Sequence, residues 1–408
     1  MGEPIRTHKP IVEISIDGGS DIGANFTKFE WASFNNGGYI IKAKIFDPYF
    51  NILKNLATKG YLKDGRQKET EVKFRIKWSS GKETQNRTAF MTSLSAHGVN
   101  ESGEIEFIAI DPPSFYLNEG TADGKAYKGN VSSVIKQVIN EYAPNVSLEV
   151  TETDDNKENI WYMMRQDPKT FIRSMLDWSA SITPKKTHWI VASNDKKLII
   201  KEQDEIKVED FGVYHLNRNG QTAKDVKLYE VLADNFISPL QTKLITSGIS
   251  AISGEYLDKI TDAEENKVFV KDENTSSKVN VNVQPTQGFK KPDKKWATSV
   301  KSIPEHSAGD LGIPYSKYID GRARGIFMNM LNLVMRMRLR VIGDFMFDDS
   351  SKIGVAKCNI SWKDIEGEPY FLGGNWLIYG FHHIVSVQDW DTDLYLARLD
   401  HDASAKKV

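Results

Sequence analysis

The sequence predicts a β-rich α+β protein of several domains: two related antiparallel β-barrel units, a mixed α/β unit and an insertion. Three observations predict this. Apolar and polar residues alternate strictly in several runs near both ends of the chain, which is the period of a half-buried strand. Two central runs place apolar residues at helical spacing. Finally, residues 251–320 turn polar and basic and lose nearly all periodicity. At 408 residues the chain has room for two to four domains.

The first barrel is expected over residues 1–115. Ile11–Ile16 opens it, and Asp17-Gly-Gly-Ser supplies a turn. Gly38–Phe46 follows with Lys42 and Lys44 on its outer face. Asp47-Pro48 predicts a short helix, capped by the Asp and entered at the Pro, with Tyr49, Leu53 and Leu56 as its apolar stripe. Glu71–Trp78, Thr88–Leu94 and Glu104–Ile110 complete an antiparallel set. Several strands at close spacing with one helix suit a small barrel.

The mixed unit is expected over 116–208. Val131–Tyr142 is an amphipathic helix with Asn130 as its cap. Asp167-Pro168 enters a second helix that runs to Trp178, and a hairpin turns over Ser193-Asn-Asp-Lys196. Trp161, Phe171 and Trp178 are its expected core. The second barrel is assigned to 209–250 and 321–402, interrupted by the excursion 251–320, where only Val279, Val281 and Val283 alternate. The end units share a make-up without a sequence repeat of fixed period, which fits a structural duplication better than a sequence one.

The C-terminal stretch is the most telling. An apolar helix is predicted over Gly325–Val334. In the strand after it, Met335, Met337, Leu339 and Val341 alternate with Arg336, Arg338 and Arg340. Strands follow at Ile353–Trp362, Asn375–Val387 and Leu394–Leu399. This order resembles the end of the baseplate hub proteins of contractile-tail bacteriophages. It is similar also to the hub region of the valine-glycine-repeat spike proteins of type VI secretion. Their last strands end in Tyr-x-Val-x-x-Val-x-His and Tyr-x-Thr-x-Leu-x-Leu-x-Arg. The counterparts here are Leu377-Ile-Tyr-Gly-Phe-His-His-Ile-Val385 and Thr392-Asp-Leu-Tyr-Leu-Ala-Arg398. The mixed unit resembles the same family through an Asp that starts a Phe-bearing helix leading into a hairpin.

The resemblance implies two tail-tube-like barrels per chain and a homotrimer whose six barrels form a pseudo-sixfold ring. It implies a ring that matches a hexameric tail tube protein on one side and seats a trimeric central spike protein on the other, among other baseplate proteins. The implied location is the virion, in the tail baseplate, after assembly in the host cytoplasm. An enzyme is the alternative, a tail-associated peptidoglycan-degrading domain within 251–320. Some seventy largely polar residues are marginal for a catalytic domain. A carbohydrate-binding tail module is the third reading, with Trp296, Trp362, Trp376 and Trp390 lining a groove.

Composition excludes several classes. A net charge of −2 leaves no global basic field, so sequence-specific nucleic-acid binding is not expected. A single cysteine, Cys358, precludes an intramolecular disulfide and argues against a thiolate zinc site. No apolar run is long enough to span a bilayer, so no membrane anchor is expected. No cofactor, metal or catalytic residue is assigned.

The candidate motifs mostly have plainer explanations. His382 and His383 are neighbours on a strand and point to opposite faces, one inward and one outward. Asp389-Trp-Asp-Thr-Asp393 imitates the start of a calcium loop, but Leu394 stands where the loop needs Gly, so an acidic turn is expected. Gly120–Lys125 lacks the spacing and the Ser or Thr of a phosphate loop. Cys358 lies within a strand's alternation and reads as inert. Arg336, Arg338 and Arg340 are less easily set aside. Three guanidiniums on one strand face repel unless something meets them. They are a solvated face, an interface with acidic groups, or the wall of a central channel.

Overall fold

The computed structural model describes residues 9–34, 38–58, 62–63, 66–67, 69–79, 81, 83–99, 102–118, 124–153, 160–178, 189–202, 209–216, 228–232, 251–257, 264–270, 336–343, 356–362 and 374–398. The expected helix Gly325–Val334 and the alternation at Val279–Val283 lie outside them.

The first half comprises β1 (Pro10–Ile16), a 3₁₀ turn at Gly23–Asn25, β2 (Phe26–Phe34), β3 (Tyr39–Pro48) and α1 (Asn51–Thr58). It continues with β4 (Leu62–Lys63), β5 (Arg66–Gln67), β6 (Glu71–Trp78), β7 (Arg87–Val99) and β8 (Ser102–Ile110). The helix after Asp47 starts later than its Asp-Pro signal predicts. β3 runs on through Pro48, and Tyr49 and Phe50 then adopt left-handed φ values of 60° and 52°. The Asp47 carboxylate spans this turn and accepts from the Ile52 and Leu53 amides at 2.9 and 3.0 Å, so it still satisfies the first helical donors.

The mixed unit begins with a helix the sequence reading missed, α2 (Pro112–Asn118), capped by Asp111 through the Ser114 amide at 2.9 Å. Then come β9 (Lys125–Lys128), α3 (Val131–Tyr142), β10 (Ser147–Val150), β11 (Ile160–Met163), α4 (Pro168–Trp178), β12 (Trp189–Asn194) and β13 (Lys197–Glu202). β10 lies parallel to β13, β12 antiparallel to it, and β9 pairs with β11. Asn130 caps α3 by accepting from the Ser133 amide at 2.9 Å, and Asp167 caps α4 through Thr170 at 2.8 Å. Trp161 and Phe171 are buried with Val134, Val138 and Met175, whereas the Trp178 side chain lies outside the described residues.

The second half comprises β14 (Glu209–Leu216), β15 (Leu228–Leu232), β16 (Ala251–Leu257), β17 (Glu264–Val270), β18 (Arg336–Ile342), β19 (Ala356–Trp362), β20 (Gly374–Ser386) and β21 (Trp390–Arg398). β16 and β17 form an antiparallel pair of their own inside the excursion, ahead of the Val279–Val283 alternation that alone signals a strand there in the sequence.

The duplication is visible in the strand order. The first half pairs as β1-β6-β7-β8-β3-β2, and the second as β14-β19-β20-β21-β18-β15. Irregularities recur at corresponding places. β7 slips against β8 between Met91 and Ser93, and β20 against β21 between Ile378 and Gly380. β2 slips against β3 between Phe26 and Lys28, and β15 against β18 between Leu228 and Glu230. Bulges re-aim side chains and are kept as features of a fold, not defects. One departure is that β1 runs antiparallel to β6 whereas β14 runs parallel to β19.

The expected pair of closed barrels is not what the described strands form. β2 pairs with β20 of the other half, so both halves share one 12-stranded sheet. Its inner face curls over a single core. Trp31 sits edge-on to Phe74 and Phe381 at 5.3 Å each, and Trp78 stacks on Trp390 at 5.2 Å. The Trp78 indole donates to the Gly343 carbonyl at 3.3 Å. A Cβ on Gly343 would lie 2.1 Å from the Trp390 ring. Gly343→Ala is therefore expected to cost about 1–3 kcal/mol, measured by urea unfolding. A change within experimental error would mean that the ring moves aside freely.

Candidate interface on the outer face of the sheet

β18 presents its two faces as its sequence predicts. Met337, Leu339 and Val341 are buried in the core, and Arg338 and Arg340 are half-buried on the opposite face. Arg336 stands on the same strand opposite Ala397, and its side chain lies outside the described residues.

The repulsion among the guanidiniums is met by Asp393. It lies directly across from Arg340 on β21. Arg340 donates to both carboxylate oxygens, Nε to Oδ1 at 2.6 Å and Nη2 to Oδ2 at 3.0 Å. Arg338 brings Nη1 to 4.0 Å from Oδ2. The side chain of Asp393 is 2% exposed, beneath guanidinium side chains that are 31% and 26% exposed. A bidentate Arg–carboxylate pair is the strong form of the contact. Asp393→Ala is expected to destabilise by about 1–3 kcal/mol, less than a fully buried pair because both arginines reach water. Asp393→Asn should lose less. Thermal unfolding of the two variants checks this, and equal losses would show that charge pairing contributes nothing.

The sequence pattern places Asp393 in an acidic turn. The turn is real but shorter, closing where the Ser386 amide donates to the Asp389 carbonyl at 2.7 Å. β21 begins at Trp390, not Leu394. The signal was present: Trp390, Thr392, Leu394 and Leu396 alternate and are all buried, which extends the strand back past Asp393.

The same motif occurs in the first half. There Lys42 and Lys44 occupy β3, the counterpart of β18, and Glu106 occupies β8 opposite Lys44. Lys42 and Lys44 reach Glu106 at 2.7 and 3.1 Å, and Lys44 reaches Glu104 at 3.8 Å. Hydrogen bonding from Lys42 first, then from Lys44, holds the Glu106 carboxyl below the usual carboxylate range against the opposing effect of burial. Its contribution to stability is thus present at neutral pH and lost as pH falls through the folded-state value.

His382 and His383 divide as expected. His383 is fully buried, between Trp31, Phe381 and Trp390. Its Nδ1 accepts from the Trp390 indole at 3.1 Å and lies 2.7 Å from the Thr392 hydroxyl, which places the ring proton on Nε2. His382 faces outward and contacts Glu30 across the β2–β20 seam, Nε2 to Oε2 at 3.2 Å. Glu30 in turn pairs with Lys28. Polar and charged side chains therefore meet across the seam between the two halves. Apolar side chains border them at Phe34, which meets Tyr395 at 4.9 Å, and at Ile40. Among the described residues, no group of three side chains is placed to hold a metal ion, and no described helix is long and apolar enough to cross a membrane.

No family model matches the chain, and no curated protein matches its sequence. Solved structures do match. The tail protein from Neisseria meningitidis MC58 is 11% identical with a TM-score of 0.56, the match covering 95% of this chain and 96% of that one. The 43 kDa tail protein of prophage MuSo2 from Shewanella oneidensis is 10% identical with a TM-score of 0.58, covering 95% and 98%. The E. coli c3393 protein is a type VI secretion component with structural similarity to the T4 tail proteins gp27 and gp5. It is 6% identical with a TM-score of 0.54, covering 94% and 76%. At these identities the likeness is one of fold, and it extends over nearly the whole chain. The protein thus has the fold of phage tail proteins and of a gp27-like secretion component, as the resemblance of its C-terminal strands to contractile-tail hubs implied.

Proposed function

We propose that this protein is the baseplate hub of a contractile tail, a homotrimer that adapts a hexameric tube to a trimeric spike. The observation that carries the reading is the duplicated strand order, β1-β6-β7-β8-β3-β2 followed by β14-β19-β20-β21-β18-β15. Two like units per chain give six per trimer, and six like units meet a hexameric partner with one repeated contact each. In this reading each unit is a tail-tube-like β-domain whose sheet continues into its neighbour's, as at β2 and β20, the mixed unit and excursion 251–320 lie outside the ring, and the partners are the tail tube protein, the spike and other baseplate proteins. The protein works in the virion tail, and the task needs no bond chemistry.

We assign the Arg336, Arg338 and Arg340 face to the wall of the central channel rather than to a subunit contact. Arg338 and Arg340 carry their own counter-ion in Asp393, and Lys42 and Lys44 carry theirs in Glu106. Charges already paired within the chain suit a wetted wall better than a surface awaiting a partner's acids.

Light scattering across concentration, with face-on imaging of any particle, tests the hub. A trimer with a six-lobed ring and a central hole is expected. A monomer at every concentration, with or without a spike protein, would overturn it. The Lys42→Ser/Lys44→Ser variant should keep the wild-type mass. Dissociation of that variant would move the charged face from the channel to an interface.

A further inference from the structure

β7 and β20 are counterparts that differ in one respect. Each has 13 residues. Each spends its first four on an outer neighbour, Arg87–Phe90 on β6 and Gly374–Leu377 on β19, and then passes its slip. Beyond the slip, β20 is paired on both sides. β21 lies on one side, and β2 on the other, from Phe34 opposite Gly380 to Lys28 opposite Ser386. Beyond its own slip, β7 pairs with β8 alone among the described residues.

This free edge reads Ser93-Leu-Ser-Ala-His-Gly98, half-buried at Leu94 and otherwise exposed. An antiparallel edge turns the N–H and C=O of alternate residues outward. Such an edge is a template for another strand unless a Lys, a Pro or a bulge blunts it. None of these occurs between Ser93 and Gly98. At the far end of the sheet the same molecule covers its edge. There Ile14 donates to Asp21 and accepts from the Ile22 amide, both at 2.8 Å, and Ile16 accepts from Gly19 at 2.9 Å.

The duplication identifies the missing strand. At β20 the position is filled by β2. The counterpart of β2 is β15, which pairs with β18 as β2 pairs with β3, slips at the corresponding place and holds the corresponding position in the order. β15 too is paired on one side only among the described residues. We propose that β15 of a second copy adds antiparallel to β7 beyond its slip, repeating between chains the seam that β2 and β20 form within one. Carrying the register over from that seam sets Glu230 opposite Val99, Val231 opposite Gly98 and Leu232 opposite His97.

The contact is heterologous, since each copy offers β7 on one side and β15 on the other, so it generates a closed ring when the rotation permits. It rests on the trimer reading above: three such seams alternate with three β2–β20 seams around the six units. Recognition is mainly through the main chain. The His382–Glu30 contact of the intrachain seam falls at Ser95 and Leu232 in the new one.

Paired cysteines in the full chain test the register, after Cys358→Ser removes the native thiol. Opposed residues in an antiparallel pair lie about 4.5–5.5 Å apart at Cα, within reach of a disulfide. Gly98→Cys with Val231→Cys, and separately His97→Cys with Leu232→Cys, should give reducible dimers and trimers on a denaturing gel. Either cysteine of a pair alone should give none. If both pairs remain uncrosslinked while light scattering still reports the trimer, the seam is wrong and the trimer stands. If the unsubstituted chain stays monomeric, the trimer reading falls, and this seam with it.

Discussion

Asp111→Ala is expected to cost about 3–5 kcal/mol of stability, because it strands several buried donors at once. Asp111 is fully buried at the junction between β8 and α2. Its Oδ2 accepts from the Tyr39 amide at 3.0 Å, and its Oδ1 from the Ser114 amide at 2.9 Å and the Ser193 hydroxyl at 2.5 Å. Ser193 belongs to the β12–β13 hairpin, so one carboxylate ties the mixed unit to the long sheet. A second tie lies beside it. Asp195, at the hairpin tip with φ of 48°, accepts from the Arg87 guanidinium and the Thr88 amide, both at 3.1 Å, and meets the Tyr39 hydroxyl at 3.0 Å.

Urea unfolding followed by far-UV circular dichroism would measure the loss. A loss below about 1 kcal/mol would mean that water takes over the stranded donors. The pH dependence has a definite sign. Burial pushes the Asp111 carboxyl up, and the hydrogen bonds from Ser193 and Ser114 only partly offset it. Its charged form is therefore disfavoured in the fold relative to the unfolded chain. As pH falls through the raised value toward the unfolded one, this site's contribution to stability rises. Relative to Asp111→Asn, the wild type should gain stability on acidification over that window. A relative loss would refute the assignment.

Trp31→Ala is expected to cost a similar amount, about 3–5 kcal/mol, for a different reason. Trp31 on β2 is fully buried where the two halves meet. Its ring contacts Tyr39 and Phe74 from the first half and Phe381 and His383 from the second. Truncation opens a cavity on the seam, so both halves lose packing together. The indole nitrogen has no hydrogen-bond partner among the described residues. Trp31→Phe should accordingly cost much less than Trp31→Ala, since no hydrogen bond is lost with the nitrogen. Calorimetry of both variants checks this, and equal losses would show that the nitrogen matters more than the ring.

Much of this was legible in the sequence. The arginine strand, the helix caps Asn130 and Asp167, the hairpin at Ser193–Lys196 and the inward and outward histidines all follow from local rules. Period and capping depend on neighbours within a few residues. The late start of α1 was not legible, because Asp-Pro also fits a strand end followed by a left-handed turn. Nor was the role of Asp393. Counting charges near a turn could not reveal that a strand 50 or so residues earlier would lay Arg340 across it. The duplication announced itself in composition only. Its proof is in the slips at Met91 and Ile378 and at Phe26 and Leu228, which are properties of pairing between strands.

By itself the sequence determined which face of each strand is apolar, because alternation with period two leaves a side chain only two directions. It determined that Arg338 and Arg340 share a face, and of the likeness between the two ends of the chain it showed the shared make-up alone. Only the tertiary structure decided how the halves meet. Two barrels closed on themselves and one sheet joined at β2 and β20 use the same strands with the same buried faces, so local pattern cannot separate them. What separates them is which edge each strand offers, and an edge consists of main-chain donors and acceptors that every sequence shares. The core around Trp31 settles the choice by burying side chains from both halves against one another.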